Sequence, residues 1–274
     1  MAGLVKTWLA GESQLLRWLA FEDYARKVFA NNHPAWHSEP MRYAAGLADA
    51  NKVLGSQVVT FDFQAVFATH AGLAADSEGV ERITALLNDA ALSAFCADAV
   101  AAMAHQLSAG VDVVLQLPSP SALLVMLGED IDNIDFDLLD DAVTVLADLL
   151  REFAQLPVAG LVLAFSDNGV DPGDEGEACE VLQGLAAHYD WVFALRLESD
   201  DPTKAHYELA ADIRLIPTLE AARLGERENL TGGGLNSAFW SGDAISPISR
   251  ACLYGDVPAD LDPRLIIERV ASLA

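Results

Sequence analysis

Basic residues are scarce in this sequence. Its 274 residues include 16 lysines and arginines against 41 aspartates and glutamates, which gives a formal net charge of −25 at pH 7. Proteins that bind nucleic acids or anionic membrane surfaces use clustered Lys and Arg to displace counterions from the phosphates. The composition therefore excludes both as partners, and it indicates a protein kept in solution by self-repulsion.

Cysteine is also rare. Cys96, Cys179 and Cys252 are odd in number and widely spaced, and no Cys-x-x-Cys occurs. This pattern predicts no disulfide framework, so we expect a cytoplasmic protein. No apolar run reaches the roughly 18–20 residues that cross a bilayer. Gly11-Glu12 interrupts the apolar N-terminus, which favours an amphipathic first helix over a secretory signal.

The common catalytic motifs are absent. The sequence has no Gly-x-Ser-x-Gly, no P-loop, no His-Glu-x-x-His and no Cys/His set with zinc spacing. The histidines fall in predicted helices or the loops beside them, so we interpret each as a surface or packed residue. They are His33, His37, His70, His105, His188 and His206. The sequence therefore predicts neither a metal nor a cofactor.

Short apolar runs alternate with helical patterns along most of the chain. Helical periodicity is clear over Ala90–Leu107, Ala122–Leu127 and Leu138–Gln155. Buried strands are predicted at Val58–Phe63, Val111–Leu117, Leu161–Ser166, Trp191–Leu197 and, more weakly, Ile213–Pro217. This alternation predicts a parallel sheet wrapped by helices, with the strands neighbouring one another in sequence order. The length is typical of a (β/α)8 barrel of about 250 residues.

The N-terminal segment is predicted to be helical. Residues 3–30 carry apolar side chains at helical spacing up to the break at Asn31–Pro34, and a second helix is expected between Ser38 and Gly55. We therefore expect one α/β domain over residues 1–274, with helices in residues 1–55 followed by a TIM-type barrel. The strands recognised in the sequence leave open whether the barrel is complete.

Three polar stretches have alternative interpretations. Gly128–Asp141 is rich in aspartate, but its spacing departs from that of an EF-hand, which favours a solvated loop before a helix over a calcium site. Asp167–Glu177 is predicted to be an irregular loop that could act as a lid. Thr231–Ser237 contains three consecutive glycines, and it could be an anion site or, preferably, a flexible turn.

Polar side chains at the predicted strand ends are the candidate site, because barrels bind ligands at that face. Asp62 lies between Phe61 and Phe63, where a carboxylate must be hydrogen-bonded or carry a raised pKa. It could serve catalysis, or it could hold a loop by a hydrogen bond. The predicted catalytic residues are Asp62, Asp167 and Glu198, and the predicted substrate-binding residues are Gln116, Ser166, Arg196 and Asn236. Arg196 is expected to bind a carboxylate or phosphate.

Four stretches carry a resemblance to a known superfamily. They are LGSQVVTFDFQAVFATHAG (54–72), VDVVLQLPSPSALL (111–124), VAGLVLAFSD (158–167) and GDVPADLDPRLIIERVASLA (255–274). Their order resembles that of the uroporphyrinogen decarboxylase superfamily, which includes cobalamin-independent methionine synthase. The resemblance implies a (β/α)8 barrel, often dimeric, with a cleft at the C-terminal face, and it matches the family's strand-end aspartate to Asp62 within one residue.

The departures from that superfamily concern its functional residues. Met41-Arg42-Tyr43-Ala44-Ala45-Gly46 echoes the decarboxylases' arginine motif but lacks its second arginine. Leu195-Arg196-Leu197-Glu198 stands where the methyltransferases carry a zinc-binding His-x-Cys. We therefore expect a divergent barrel enzyme, a lyase or decarboxylase, acting on a small and mostly apolar substrate. The alternatives are a methyl or other group transferase and a non-catalytic binding or assembly protein, and a homodimer is expected from the resemblance.

Overall fold

Eight parallel strands close into a barrel in the computed structural model, which describes residues 3–107, 109–199, 209–226, 230–245, 248 and 250–273. Each strand pairs with the next along the chain, and β1 pairs with β8 to complete the circle. The strands are β1 Leu15–Ala20, β2 Val58–Asp62, β3 Asp112–Pro118, β4 Gly160–Ala164, β5 Val192–Arg196, β6 Ile213–Leu215, β7 Thr231–Gly234 and β8 Ala251–Asp256. The TIM-type barrel expected from the sequence is confirmed, and it is closed.

Helices connect the strands and cover the outside of the barrel. They are α1 Leu4–Leu9, α2 Glu22–Val28, α3 Pro40–Leu54, α4 Phe63–His70, α5 Val80–Leu87, α6 Ala90–Gln106, α7 Pro120–Met126, α8 Phe136–Arg151, α9 Pro172–His188, α10 Ser237–Ser241 and α11 Pro263–Ala271. Short 3₁₀ helices lie at Ala71–Ala74, Ile131–Asn133 and Ala221–Glu226. No single helix among the described residues is long and apolar enough to cross a membrane, although the bent pair α5–α6 passes by length and composition alone.

Strand alternation divides the apolar side chains between two layers. Residues such as Phe61 and Leu115 point outward and pack with the helices, while alternate residues such as Trp18 and Val114 fill the barrel. Val5 and Trp8 of α1 join the interior cluster, so α1 closes the N-terminal end of the barrel. The interior cluster comprises Val5, Trp8, Leu16, Trp18, Val58, Val114, Val162, Val192, Ala194, Ile213, Leu215, Cys252 and Tyr254.

The prediction of helix throughout residues 3–30 is wrong, because Leu15–Ala20 forms β1. The segment Leu-Leu-Arg-Trp-Leu-Ala is apolar at both helical and strand spacing, so its periodicity does not decide between the two. Its six residues pair in register with all six residues of β8, and β2 lies on its other side. This pairing closes the barrel and overrides the local helical pattern.

Two predicted loops are also regular structure. Residues 172–177 belong to α9 rather than to an irregular lid, because Asp171 accepts hydrogen bonds from the Gly173 and Asp174 amides and caps the helix. Thr231–Gly234 is β7 rather than a turn. Its glycines are needed for close packing, since a Cβ at Gly233 would lie 2.8 Å from the Leu219 Cβ.

The other predicted strands agree with the structure. The strands predicted near Val58, Val111, Leu161 and Trp191 are β2 to β5, and they are parallel neighbours in sequence order. In the acidic stretch 128–141, Asp135 caps α8 by accepting a hydrogen bond from the Leu138 amide at 3.0 Å. The part of the chain described by the structure contains no group of three or more His, Cys, Asp and Glu side chains arranged to hold a metal ion.

Candidate active site

A cavity of about 950 Å³ lies at the C-terminal mouth of the barrel. Strand ends supply part of its wall, because the closed parallel sheet brings the carboxyl ends of all its strands to one face. Ala20 pairs with Asp256 and Asp62 pairs with Gln116, so residues distant in sequence meet around this opening. The polar and charged lining residues are Glu22, Asp23, Arg26, Asn32, His33, His37, Thr60, Asp62, Gln64, Thr69, Gln116, Arg196 and Asp256.

Asp62 lies where β2 becomes α4. Phe61 and Phe63 on either side are buried in the helix-facing core, so strand alternation turns Asp62 to the cavity. Its Oδ1 accepts hydrogen bonds from the backbone amides of Gln64 at 2.9 Å and Ala65 at 3.4 Å, which caps α4. The side chain therefore holds a helix start and also lines the cavity.

The pKa of Asp62 is raised to about 6. Burial is the main cause, because it penalises the ionised form, and the carboxylate of Glu22 adds to the effect by repulsion. The backbone hydrogen bonds and the charge of Arg196 act in the opposite direction but do not cancel the shift. Asp62 can therefore both hold and release a proton near neutral pH.

Glu22 and His37 form a nearly buried pair beside Asp62. Their side chains are 10% and 9% exposed, and His37 Nε2 lies 3.0 Å from Glu22 Oε1. The indole Nε1–H of Trp36 donates to the same oxygen of Glu22. The other nitrogen of His37, Nδ1, lies 2.7 Å from Thr69 Oγ1 on α4. The loop between α2 and α3 thus folds back over the barrel mouth and anchors a titratable pair there.

Arg196 extends across the barrel mouth from β5 to β8. Its guanidinium donates two hydrogen bonds to the Asp256 carboxylate, at 2.8 and 3.0 Å, and one to the Tyr254 hydroxyl at 2.5 Å. Desolvation lowers the pKa of Arg196, but Tyr254 and Asp256 together raise it above its ordinary value. Burial raises the pKa of Tyr254 to about 12. Arg196 therefore stays charged, and Asp256 occupies the geometry that a substrate carboxylate would need.

Three of the site residues predicted from the sequence line this cavity, namely Asp62, Gln116 and Arg196. The described lining does not include the other four. Ser166 and Asp167 follow β4, and the Asp167 amide donates to Glu198 Oε2 at 3.4 Å. Asn236 caps α10 by accepting a hydrogen bond from the Phe239 amide at 3.2 Å. The roles predicted for Ser166, Asp167, Glu198 and Asn236 remain predictions.

Glu22, His37 and Asp256 were missed by the sequence analysis. Once Leu15–Ala20 is a strand, Phe21-Glu22-Asp23 stands at a strand end, which is where polar lining residues are expected. Asp256 likewise follows the apolar run Ala251–Tyr254, which was not assigned as a strand. Of the other histidines, His33 also lines the cavity, whereas His70, His105 and His188 are not among the described lining residues. His206 lies outside the described residues.

The site presents two kinds of titratable group to one cavity. Asp62 is a carboxyl group with a pKa near 6, and the Glu22–His37 pair is hydrogen-bonded on both ring nitrogens. Such pairs of titratable groups in distinct surroundings are typical of general acid–base sites. The described residues offer no ligand cluster for a metal, and the sequence carries no cofactor motif.

No family model matches this chain, and no curated protein matches it. Among solved structures, a protein described as a candidate phosphonomutase from Burkholderia cenocepacia J2315 aligns over 92% of this chain and 97% of its own, with 12% identity and a TM-score of 0.43. The GH20 catalytic modules of the pneumococcal exo-β-D-N-acetylglucosaminidase StrH align over 97% of this chain and 83% of theirs, with 9% identity and a TM-score of 0.45. Likenesses at these scores bear on neither substrate nor reaction. The strand order itself defines the chain as a TIM-type barrel.

Proposed function

We propose that this protein is a barrel enzyme that transforms a small organic substrate by acid–base chemistry, with Asp62 as the proton-transferring group. The observation that carries the proposal is the position of Asp62, at a strand end, facing the cavity, with a pKa raised to about 6. A group that titrates near the working pH is the most effective general acid or base, because both its protonation states are populated. The open, polar cavity also favours a ligand-binding enzyme over an assembly module.

The proposed reaction class is a lyase, with decarboxylation as the leading case. Loss of carbon dioxide leaves a carbanion, and the protonated Asp62 carboxyl group could deliver a proton to that carbon. The resemblance of residues 54–72 and 111–124 to the uroporphyrinogen decarboxylase superfamily supports this class and matches Asp62 to its strand-end aspartate. A group transferase is the alternative reaction, since the same carboxyl could orient a substrate without exchanging a proton with it.

The walls of the cavity restrict the substrate. The apolar part of the lining comprises Leu19, Ala20, Phe21, Pro34, Trp36, Leu47, Val59, Ala65, Ala68, Met126 and Val257, which suits a hydrocarbon portion. The carboxylates of Glu22, Asp23, Asp62 and Asp256 outnumber the guanidinium groups of Arg26 and Arg196. Arg196 is bound to Asp256 and Arg26 to Asp23, so neither guanidinium is a free anion site. We therefore propose a small substrate that carries no anionic group besides the carboxylate that it loses.

Proton transfer at carbon can be detected without knowing the substrate. The protein is incubated in D₂O with a panel of small keto acids, hydroxy acids and amino ketones, and proton NMR follows both deuterium incorporation and loss of carbon dioxide. We expect at least one compound to exchange or decarboxylate with a rate that depends on a group titrating near pH 6. The Asp62→Asn variant should lose that activity. Activity that persists in Asp62→Asn would contradict the role of Asp62.

A further inference from the structure

We infer that Glu22 and His37 form a positioning pair that controls the ionisation of Asp62: a proton taken up by His37 offsets the negative charge of Glu22 and so favours the ionised form of Asp62. The inference deepens the proposed function and rests on it only in so far as it assigns Asp62 a catalytic role. The observation behind it is the hydrogen-bond arrangement around the His37 ring, which accommodates two protonation states of that ring.

Both ring nitrogens of His37 keep a partner whether the ring is neutral or charged. Nε2–H donates to Glu22 Oε1 at 3.0 Å in either state. On the other side, the Thr69 hydroxyl lies 2.7 Å from Nδ1 and 3.1 Å from the Ala65 carbonyl oxygen. When His37 is neutral, the hydroxyl can donate to Nδ1. When Nδ1 carries a proton, the hydroxyl can rotate, donate to Ala65 and accept from Nδ1. Neither state leaves a buried donor unpaired.

The charge on His37 is transmitted to Asp62 through Glu22. Glu22 is the neighbouring charge that contributes most to the raised pKa of Asp62, after burial. A positive His37 bonded to Glu22 offsets that repulsion, because an ion pair at 3.0 Å has little net charge at the distance of the next side chain. Uptake of a proton by His37 therefore favours release of a proton by Asp62, and the inference treats these two groups as a coupled pair.

Other titratable groups share the cavity with this pair. Asp23 and Arg26 pair with each other, Asp256 pairs with Arg196, and His33 also lines the wall. The ring of Tyr43 on α3 lies beside that of His37, with centroids 6.0 Å apart and planes tilted by 47°. Burial, together with the charges of Glu22 and Asp62, raises the pKa of Tyr43 well above its ordinary range. Tyr43 therefore stays neutral while the others titrate. Arg196 acts on Asp62 from β5 and remains charged throughout. The inferred coupling is therefore between His37 and Asp62, with the ionised Glu22 between them.

The test measures the ionisation of Asp62 directly, by side-chain carboxyl ¹³C NMR over pH 3–9, in the full-length protein without ligand. Glu22→Gln removes the repulsion, so the Asp62 midpoint should fall below that of the unaltered protein. His37→Gln can still donate to Glu22 but cannot become charged, so the midpoint should rise. The matched control is His33→Gln, since His33 also lines the cavity but accepts its hydrogen bond from the Ala35 amide, and it should change the midpoint little.

Opposite shifts of the Asp62 midpoint in Glu22→Gln and His37→Gln would support the inference. Loss of packing alone would not lower the midpoint in one variant and raise it in the other. An unchanged midpoint in His37→Gln, or a shift in the same direction as in Glu22→Gln, would overturn it. If His37→Gln does not fold, the reciprocal experiment decides. The imidazole ¹⁵N titration of His37 should move to lower pH in Asp62→Asn, since an anion that favours the charged ring is lost. An unmoved His37 titration would overturn the inference. None of these results depends on finding a substrate.

Discussion

The two ends of the barrel differ in the chemistry of their side chains. At the N-terminal end, α1 places Val5 and Trp8 against an interior of tryptophan, valine and leucine, and the described interior there is apolar. At the C-terminal end, the strands finish in Asp62, Arg196 and Asp256 around an open cavity. The packed interior and the candidate site therefore lie at opposite ends of the barrel axis, which is the arrangement of TIM-type barrels in general.

The largest effect that this comparison predicts is at the packed end. Trp8→Ala removes a side chain that is 2% exposed and leaves a cavity in the interior cluster, so the free energy of unfolding should fall by about 3–5 kcal/mol. Urea unfolding followed by circular dichroism measures the loss. Proton-transfer activity at the mouth should persist wherever the variant is still folded.

Lys6→Ala on the same helix is the control for that experiment. Lys6 makes a partly exposed ion pair with Asp190 and donates to the carbonyl oxygen of the same residue, so its loss should cost less than about 1 kcal/mol. Equal destabilisation by Trp8→Ala and Lys6→Ala would show that α1 does not close the barrel through its apolar face, and the contrast between the two ends would fail.

A smaller effect is expected where β8 approaches the mouth. A Cβ at Gly255 would lie 2.2 Å from the Leu235 carbonyl oxygen, so Gly255→Ala must displace backbone and should cost about 1–3 kcal/mol. The displacement would also shift Asp256, the next residue, away from Arg196. Thermal unfolding measures the cost. Gly184→Ala is the control, because a Cβ there meets no atom within 4 Å in α9 and should be neutral or stabilising.

The smallest effect concerns the pH dependence of stability at the mouth. The pKa of Asp62 in the folded protein is about 6, above that of an ordinary aspartate, so the folded state binds more protons between about pH 4 and 6. Its free energy of unfolding must therefore fall as the pH rises through that window. From pH 4 to pH 7, the free energy of unfolding of Asp62→Asn should therefore rise by roughly 1–2 kcal/mol relative to that of the unaltered protein. Urea midpoints that run parallel at all pH values would contradict the raised pKa.

The central strands could be predicted because their signal is local. Val58–Asp62, Asp112–Pro118 and Gly160–Ala164 are short apolar runs between turn residues, and a strand buried on both faces leaves that pattern. Asp62 could be found because a carboxylate in an apolar run needs a special environment. The strands β1 and β8 could not be assigned, since each depends on pairing with a segment more than 200 residues away.

The missed half of the site follows from the missed strands. Glu22 and Asp256 become strand-end residues only when Leu15–Ala20 and Ala251–Asp256 are recognised as neighbours. His37 lies in a loop whose return over the barrel mouth no local pattern indicates. His37 is buried, as a packed histidine would be, but its position beside Asp62 was not predicted.

The central claim is that Asp62 serves the site rather than the fold, and two helix-capping aspartates provide the most direct test. Asp62 caps α4 and lines the cavity, whereas Asp89 caps α6 through the Leu92 amide at 2.8 Å and is not among the described lining residues. Asparagine also caps helices, so Asp62→Asn and Asp89→Asn should both melt within a few degrees of the unaltered protein at pH 7. Only Asp62→Asn should lose turnover of an identified substrate, by at least about tenfold, or roughly 1.4 kcal/mol. Early unfolding of Asp62→Asn, or equal turnover in the two variants, would show that Asp62 is structural.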